Sequence, residues 1–171
     1  MAKERLVGSA GPWKSSGDAR SEGHVLRDEL ARLVREQPYA VLCTQGGGQP
    51  YGSLVALAVA DDLRSAVFAT PIATRKYRLL SECDHVALVI DSRSRSIEDM
   101  MQIEALTATG RARQVSPGAD FEQAASLLVG RHPQLDLFVR SPTTALFRVN
   151  IIRYLHVSRF QEVRQWTPSS G

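Results

Sequence analysis

Two cysteines in 171 residues are too few for a disulfide framework. Cys43 and Cys83 lie far apart, form no CxxC pair and have no histidine at zinc-ligand spacing, so they read as buried or inert thiols. Aromatic side chains are scarce as well, at 6% of the chain, and the core must come from Leu, Val, Ala and Ile. No stretch approaches the ~20 apolar residues of a membrane span. No apolar run of signal length follows the early charges Lys3, Glu4 and Arg5, and a cytoplasmic location is the expectation.

An excess of one charge is also missing. The 21 Lys and Arg against 18 Asp and Glu leave a net charge of +3, with the signs interleaved. A dedicated nucleic-acid binder needs a concentrated basic stripe, and there is none. His24, His85, His132 and His156 are scattered with no HxxxH or histidine–carboxylate spacing. They read as surface or ordinary hydrogen-bonded histidines, and no metal site is expected. No Ser, Cys or Thr stands in a nucleophile-elbow sequence, which removes hydrolase chemistry.

What is present suffices for one domain, with 43% of the residues apolar. Residues 1–23, rich in Gly, Ser and charge, read as a flexible arm, and residues 24–171 as the folded domain. Trp13 stands apart in that arm, either solvated or docked on a partner subunit.

From His24 to Gln37 the residues Val25, Leu26, Leu30, Leu33 and Val34 recur at helical spacing, and Pro38 ends the helix. Tyr39 to Gln45 reads as a strand, and Gly46-Gly47-Gly48 as a tight hairpin turn. A second strand, Pro50 to Ala60, is apolar on both faces, which suits a barrel wall covered by a helix or another subunit. Asp61-Asp62 makes a turn before a third strand, Arg64 to Thr70. Val86 to Asp91 is a fourth, and Ser92 to Asp99 a polar loop with two arginines. Met100 and Met101 serve packing. Glu104 to Val115 is a fifth strand with a bulge or bend at Gly110. Asp120 is placed to cap a helix from Phe121 to Gly130, with a short helical turn around Leu135 to Val139. Thr143 to Arg159 forms the final strand, kinked near Asn150. Phe160 to Trp166 either continues it or folds back over the barrel mouth. Hairpin-linked strands with few helices predict an α+β chain that is mainly β, built as a small antiparallel barrel.

The most informative stretch joins the third strand to the next helix. After Phe68, Ala69 and Thr70 comes a turn with Pro71, then Thr74 at an N-cap position. Arg75 and Lys76 fill the first helical turn, where cations oppose the helix dipole. Free N–H groups, a threonine hydroxyl and two cations suit a phosphate dianion. A solvated helix start fits the same residues, and both readings stay open on the residues alone.

Taken in order, these segments resemble the pyridoxamine 5′-phosphate oxidase-like family, the FMN-binding split barrels. The pieces are Ala40 to Tyr51, Gly52 to Leu57, Val67 to Thr70, Thr74 to Leu80, His85 to Asp91 and Thr107 to Ala112. The resemblance implies a homodimer with FMN in a cleft between subunits. It places Thr74, Arg75 and Lys76 at the FMN phosphate, and Ser53, Leu54, Val55, Phe68, Ala69 and Thr70 on strands lining the flavin ring. The implied activity is an FMN-dependent oxidoreductase, with NAD(P)H and a small acceptor as substrates. Related alternatives are a non-catalytic flavin- or haem-binding protein and a deazaflavin-dependent reductase. Tyr51-Gly52 stands where the family's true oxidases have an arginine, and Glu104 or Ala105 where a glutamine is frequent. The tail from Arg159 to Trp166 lacks their basic, histidine-containing segment. These departures point away from pyridoxamine phosphate itself as substrate.

Overall fold

A computed structural model describes residues 19–93, 100–159 and 162–168. Trp13, most of the arm and part of the arginine loop (94–99) lie outside the described residues. Helix α1 (Ala19–Glu36) is the first described element and begins five residues before the expected start at His24. Strands β1 (Tyr39–Gly46), β2 (Gln49–Ala56), β3 (Ala58–Val59) and β4 (Ser65–Pro71) follow. Then come α2 (Arg75–Glu82), β5 (His85–Asp91) and β6 (Ala105–Gln114). Helices α3 (Ala119–Arg131) and α4 (Asp136–Val139) lead into the long β7 (Thr144–Ser158) and the short β8 (Glu162–Trp166).

All strand pairs are antiparallel, in the order β2-β1-β5-β6-β7-β4-β3, with β8 added on β7. The last strand of that order, β3, is joined to the first, β2, by Leu57 alone. The sheet must therefore curl until its ends meet. Among the described residues β2 and β4 form no ladder, so the barrel is split there. Leu57 has left both ladders, yet its backbone is satisfied. Its N–H donates to the Pro38 carbonyl at 3.1 Å, and its own carbonyl lies 3.1 Å from the His132 ring.

The two-residue turn Gly47-Gly48 has φ of 57° and 74°, which only glycine adopts without strain, and this is the hairpin expected there. At Gly110 the β6–β7 register shifts, so Ile152 is an extra residue on β7. A Cβ at Gly110 would overlap the Asn150 carbonyl oxygen. The bulge expected at Gly110 and the bend expected near Asn150 are thus one feature. The tail folds back, since β8 pairs with the end of β7.

The barrel interior holds Leu42, Val55, Phe68, Leu88, Leu106, Phe147 and Val149, joined by Leu30 and Leu33 of α1. Phe68 and Phe147 stack with centroids 5.5 Å apart. Leu63 is buried at φ 59°, a left-handed conformation worth about 1–3 kcal/mol of strain. Its carbonyl accepts from Tyr154 Oη at 2.8 Å, and burial pushes that phenol's pKa up.

A second cluster forms where Ala124, Ala125 and Leu128 of α3 cover Ala58, Val67 and Leu146. Helix α3 is not capped by Asp120 as expected. Gly118 is the N-cap, with φ 132°, and Asp120 sits in the first turn, where its charge suits the dipole. Of the two expectations for the cysteines, full burial does not hold: neither is in a disulfide, both are partly buried, and Cys83 Sγ accepts from Gln45 Nε2 at 3.5 Å.

Arg131, at the end of α3, donates to the carbonyls of Val34, Arg35 and Gln37 at 2.7, 2.9 and 2.9 Å. These are the orphan acceptors at the end of α1. Arg131→Met keeps much of the stem but removes the donors. It should lower unfolding free energy by about 1–3 kcal/mol, read as a lower urea midpoint at unchanged slope. An unchanged midpoint would show the clamp to be idle.

Candidate functional site

The site forms where β4 ends, at the split. Thr74 has extended backbone (φ −89°, ψ 155°) and caps α2, accepting from the Tyr77 N–H at 3.3 Å. Its hydroxyl donates to the Pro71 carbonyl at 2.8 Å. A hydroxyl has one hydrogen, so the 3.1 Å contact with Thr70 is Thr70 donating to Thr74. One donation and two acceptances use the whole capacity of Thr74. Its hydroxyl shapes the turn and has none left for a ligand.

What the turn leaves available is backbone and charge. The N–H groups of Arg75 and Lys76 precede the helical ladder and have no carbonyl four residues back within it. No acidic residue lies in the first turn of α2. Arg75 lies over the Tyr51 ring, 5.0 Å from its centroid. Lys76 reaches across the split and donates to the Leu54 carbonyl at 3.1 Å. Burial lowers the pKa of its ammonium. A dianion placed there would offset the dipole mismatch and keep Lys76 charged.

The strand opposite has an open hydrogen-bonding position. Among the described residues Ser53 Oγ is buried without a partner, which costs about 1–3 kcal/mol unless something meets it. Leu54 is 66% exposed. The structure therefore gathers Ser53, Leu54, Thr70, Thr74, Arg75 and Lys76 about the split. It does not gather the side chains of the other three expected residues. Val55 and Phe68 are in the barrel core, and Ala69 packs under α3. Val55 and Phe68 share the inward faces of Ser53 and Thr70 but lie deeper in the barrel core, and alternation turns Ala69 outward under α3, so only their backbone remains for a ring edge.

Tyr51 belongs to the site, and sequence reasoning treated it only as a missing arginine. The signal was its position two residues before Ser53, on the same face of β2. A cavity of about 490 Å³ lies elsewhere, on the outer sheet face, lined by Cys43, Gln45, His85, Thr109, Ile152 and Arg153. None of the expected residues lines it. Among the described residues no cluster of His, Cys, Asp or Glu could hold a metal, and no helix is long and apolar enough to cross a membrane.

The profile of the pyridoxamine 5′-phosphate oxidase family matches residues 26–158. The chain belongs to that family. No curated protein matches it. Among solved structures, it is similar to a heme binding protein from Mycobacterium smegmatis at TM-score 0.72 and 16% identity, covering 83% of this chain and 58% of that one. It is also similar to ChuZ of Campylobacter jejuni, with TM-score 0.72, 10% identity and coverage of 84% and 60%. A third is a Clostridium acetobutylicum protein related to general stress protein 26 and described as of the pyridoxinephosphate oxidase family. It has TM-score 0.65, 15% identity and coverage of 84% and 94%. The chain thus spans about three fifths of the first two proteins, and at these identities the likeness is one of fold.

Thr74→Ala removes the cap and strands the Thr70 hydroxyl. It should cost about 1 kcal/mol, with Thr74→Ser restoring most of it. Equal melting temperatures for Ala and Ser variants would refute the network.

Proposed function

We propose that the chain binds FMN and acts as an FMN-dependent oxidoreductase of its family, passing electrons from NAD(P)H to a small acceptor. The observation that carries this reading is the first turn of α2. Arg75 and Lys76 reach Tyr51 and Leu54 of β2, their N–H groups have no acceptor within the helix, and no acidic residue lies in that turn. The phosphate would sit on those groups, and Ser53 and the edge of β2 would meet the ring. When bound, the flavin supplies the electron transfer. The residues of this chain hold, orient and keep the pocket dry.

The second part of the proposal is a homodimer. Register places Leu54, Val41, Val89, Thr107 and Leu155 in one row across the outer sheet face. Gly52, Cys43, Ala87, Thr109 and Arg153 form the next row. Helices α3 and α4 cover the outer face of β3, β4 and the first half of β7, and no described element covers these rows. A small-residue, mostly apolar sheet face suits a second copy of the chain.

Haem binding is the second reading. Its favouring observation is that Cys43 and His85, both residue types that ligate haem iron, line the same outer cavity.

Absorbance of the purified protein separates the two readings, flavin bands against a Soret band. In Arg75→Ala/Lys76→Ala, each lost charge-assisted bond is worth about 1.5–3 kcal/mol, so FMN affinity should fall at least about tenfold. Unchanged affinity would remove the site assignment. Sedimentation should find the wild type as a dimer, and Ile152→Asp, on the proposed interface, as a monomer. A wild-type monomer would remove the interface.

A further inference from the structure

At the end of the barrel remote from α2, the side chain of His156 is 0% exposed, and four charged residues lie around it. Its Nδ1 lies 3.1 Å from Nη2 of Arg164 on β8. A guanidinium only donates, so Nδ1 is the acceptor and the neutral ring carries its hydrogen on Nε2. Nε2 points towards Glu104 Oε1, 3.5 Å away, without a hydrogen bond. The Arg164 nitrogen that meets His156 also bonds Glu29 of α1. That carboxylate is itself 4.0 Å from His156 Nδ1. Arg32 of α1 holds Glu104 at 2.5 Å, and Glu162 of β8 lies 3.8 Å from Arg164 Nε. A polar cavity of about 260 Å³ opens beside the group, lined by Glu29, Glu104, Ser158, Glu162 and Arg164 among others.

We propose that His156 is the proton-operated pin of a latch fastening β8 to α1, and that its protonation frees Arg164 and opens this polar cavity. A proton from solvent must go to Nδ1, since Nε2 already carries one. The new N–H then points at an Arg164 donor, cation against cation. Glu29 can exchange Arg164 for the imidazolium, and Glu104 can accept from Nε2. Both contacts favour the charged ring, and the exchange at Glu29 acts against Arg164. It loses Glu29 and His156 in one step and keeps only Glu162, on its own strand.

What then holds β8 is a five-residue ladder with β7 and the contact of Trp166 with Tyr154, 5.8 Å between ring centroids. The strand is at the sheet edge, and its Val163 is 53% exposed. It pairs with β7 alone, so release stays local.

The direction of the response follows from the surroundings. Burial, then the Arg164 charge, lowers the His156 pKa against the pull of Glu104 and Glu29. The folded chain therefore stays neutral at His156 while the unfolded chain begins to bind a proton below about pH 6.5. The stability contributed by the neutral ring is complete above that pH and is lost as pH falls through the lower folded value.

The test uses the full chain carrying Trp13→Phe, which leaves Trp166 as the only tryptophan. Between about pH 8 and pH 5, the window of imidazole titration, Trp166 emission should move reversibly to longer wavelength while far-UV circular dichroism stays constant. His156→Gln in that background keeps an acceptor for Arg164 but cannot titrate, and its emission should stay flat. Arg164→Gln should show the long-wavelength emission at pH 8 and no further change. Flat emission in the parent chain overturns the proposal, and so does an unchanged midpoint in His156→Gln. If His156→Gln does not fold, Arg164→Gln decides, and a normal pH response in that variant overturns the latch.

Discussion

Leu57 is all that separates β2 from β3, yet those strands stand at opposite ends of the pairing order. A flat sheet cannot satisfy that connection, so the curl of the barrel follows from chain continuity. The constraint holds because Leu57 loses nothing by leaving the ladder. Pro38 and His132 meet its backbone groups, and its side chain is buried. Helices α1 and α3 are tied to the same corner through Arg131. Without that corner the split between β2 and β4 would have no defined width.

The two ends of the barrel treat charge in opposite ways. Around His156 the cations and carboxylates of three elements are matched against one another, and little net charge is left over. At the start of α2, among the described residues, the cations meet only a backbone carbonyl and a tyrosine ring. A folded chain seldom leaves cations against a helix dipole without some return elsewhere. That asymmetry, more than any motif, marks the α2 end as the place for an anion.

Much of this was legible along the chain. The glycines announced their roles, because a two-residue turn and a bulge each demand a residue without Cβ at a definite place. Thr74 was readable as a cap from its position before a helical pattern. The fate of its hydroxyl was not, because Thr70 approaches it only once the turn has formed. Asp120 looked like a cap, but Gly118 reached a conformation closed to other residues and started the helix earlier. Val55, Phe68 and Ala69 could not be sorted from Ser53 and Thr70 by composition. Alternation sets only Ala69 apart from its neighbours; Val55 shares a face with Ser53, and Phe68 with Thr70, and only the closed barrel says how deep along that face each one lies.

The amino-acid order by itself determined most of the strands, though not the break at Leu57 that splits the expected Pro50 to Ala60 strand, together with the hairpin, the bulge and the cationic start of α2. These rest on local rules: φ preference, side-chain alternation and the geometry of a helix terminus. Tertiary structure alone decided that Lys76 reaches Leu54, that Ser53 has no partner and that His156 is locked between Arg164 and Glu104. Those contacts join residues distant in the chain, and their distances are set by how the sheet closes, which no local rule contains.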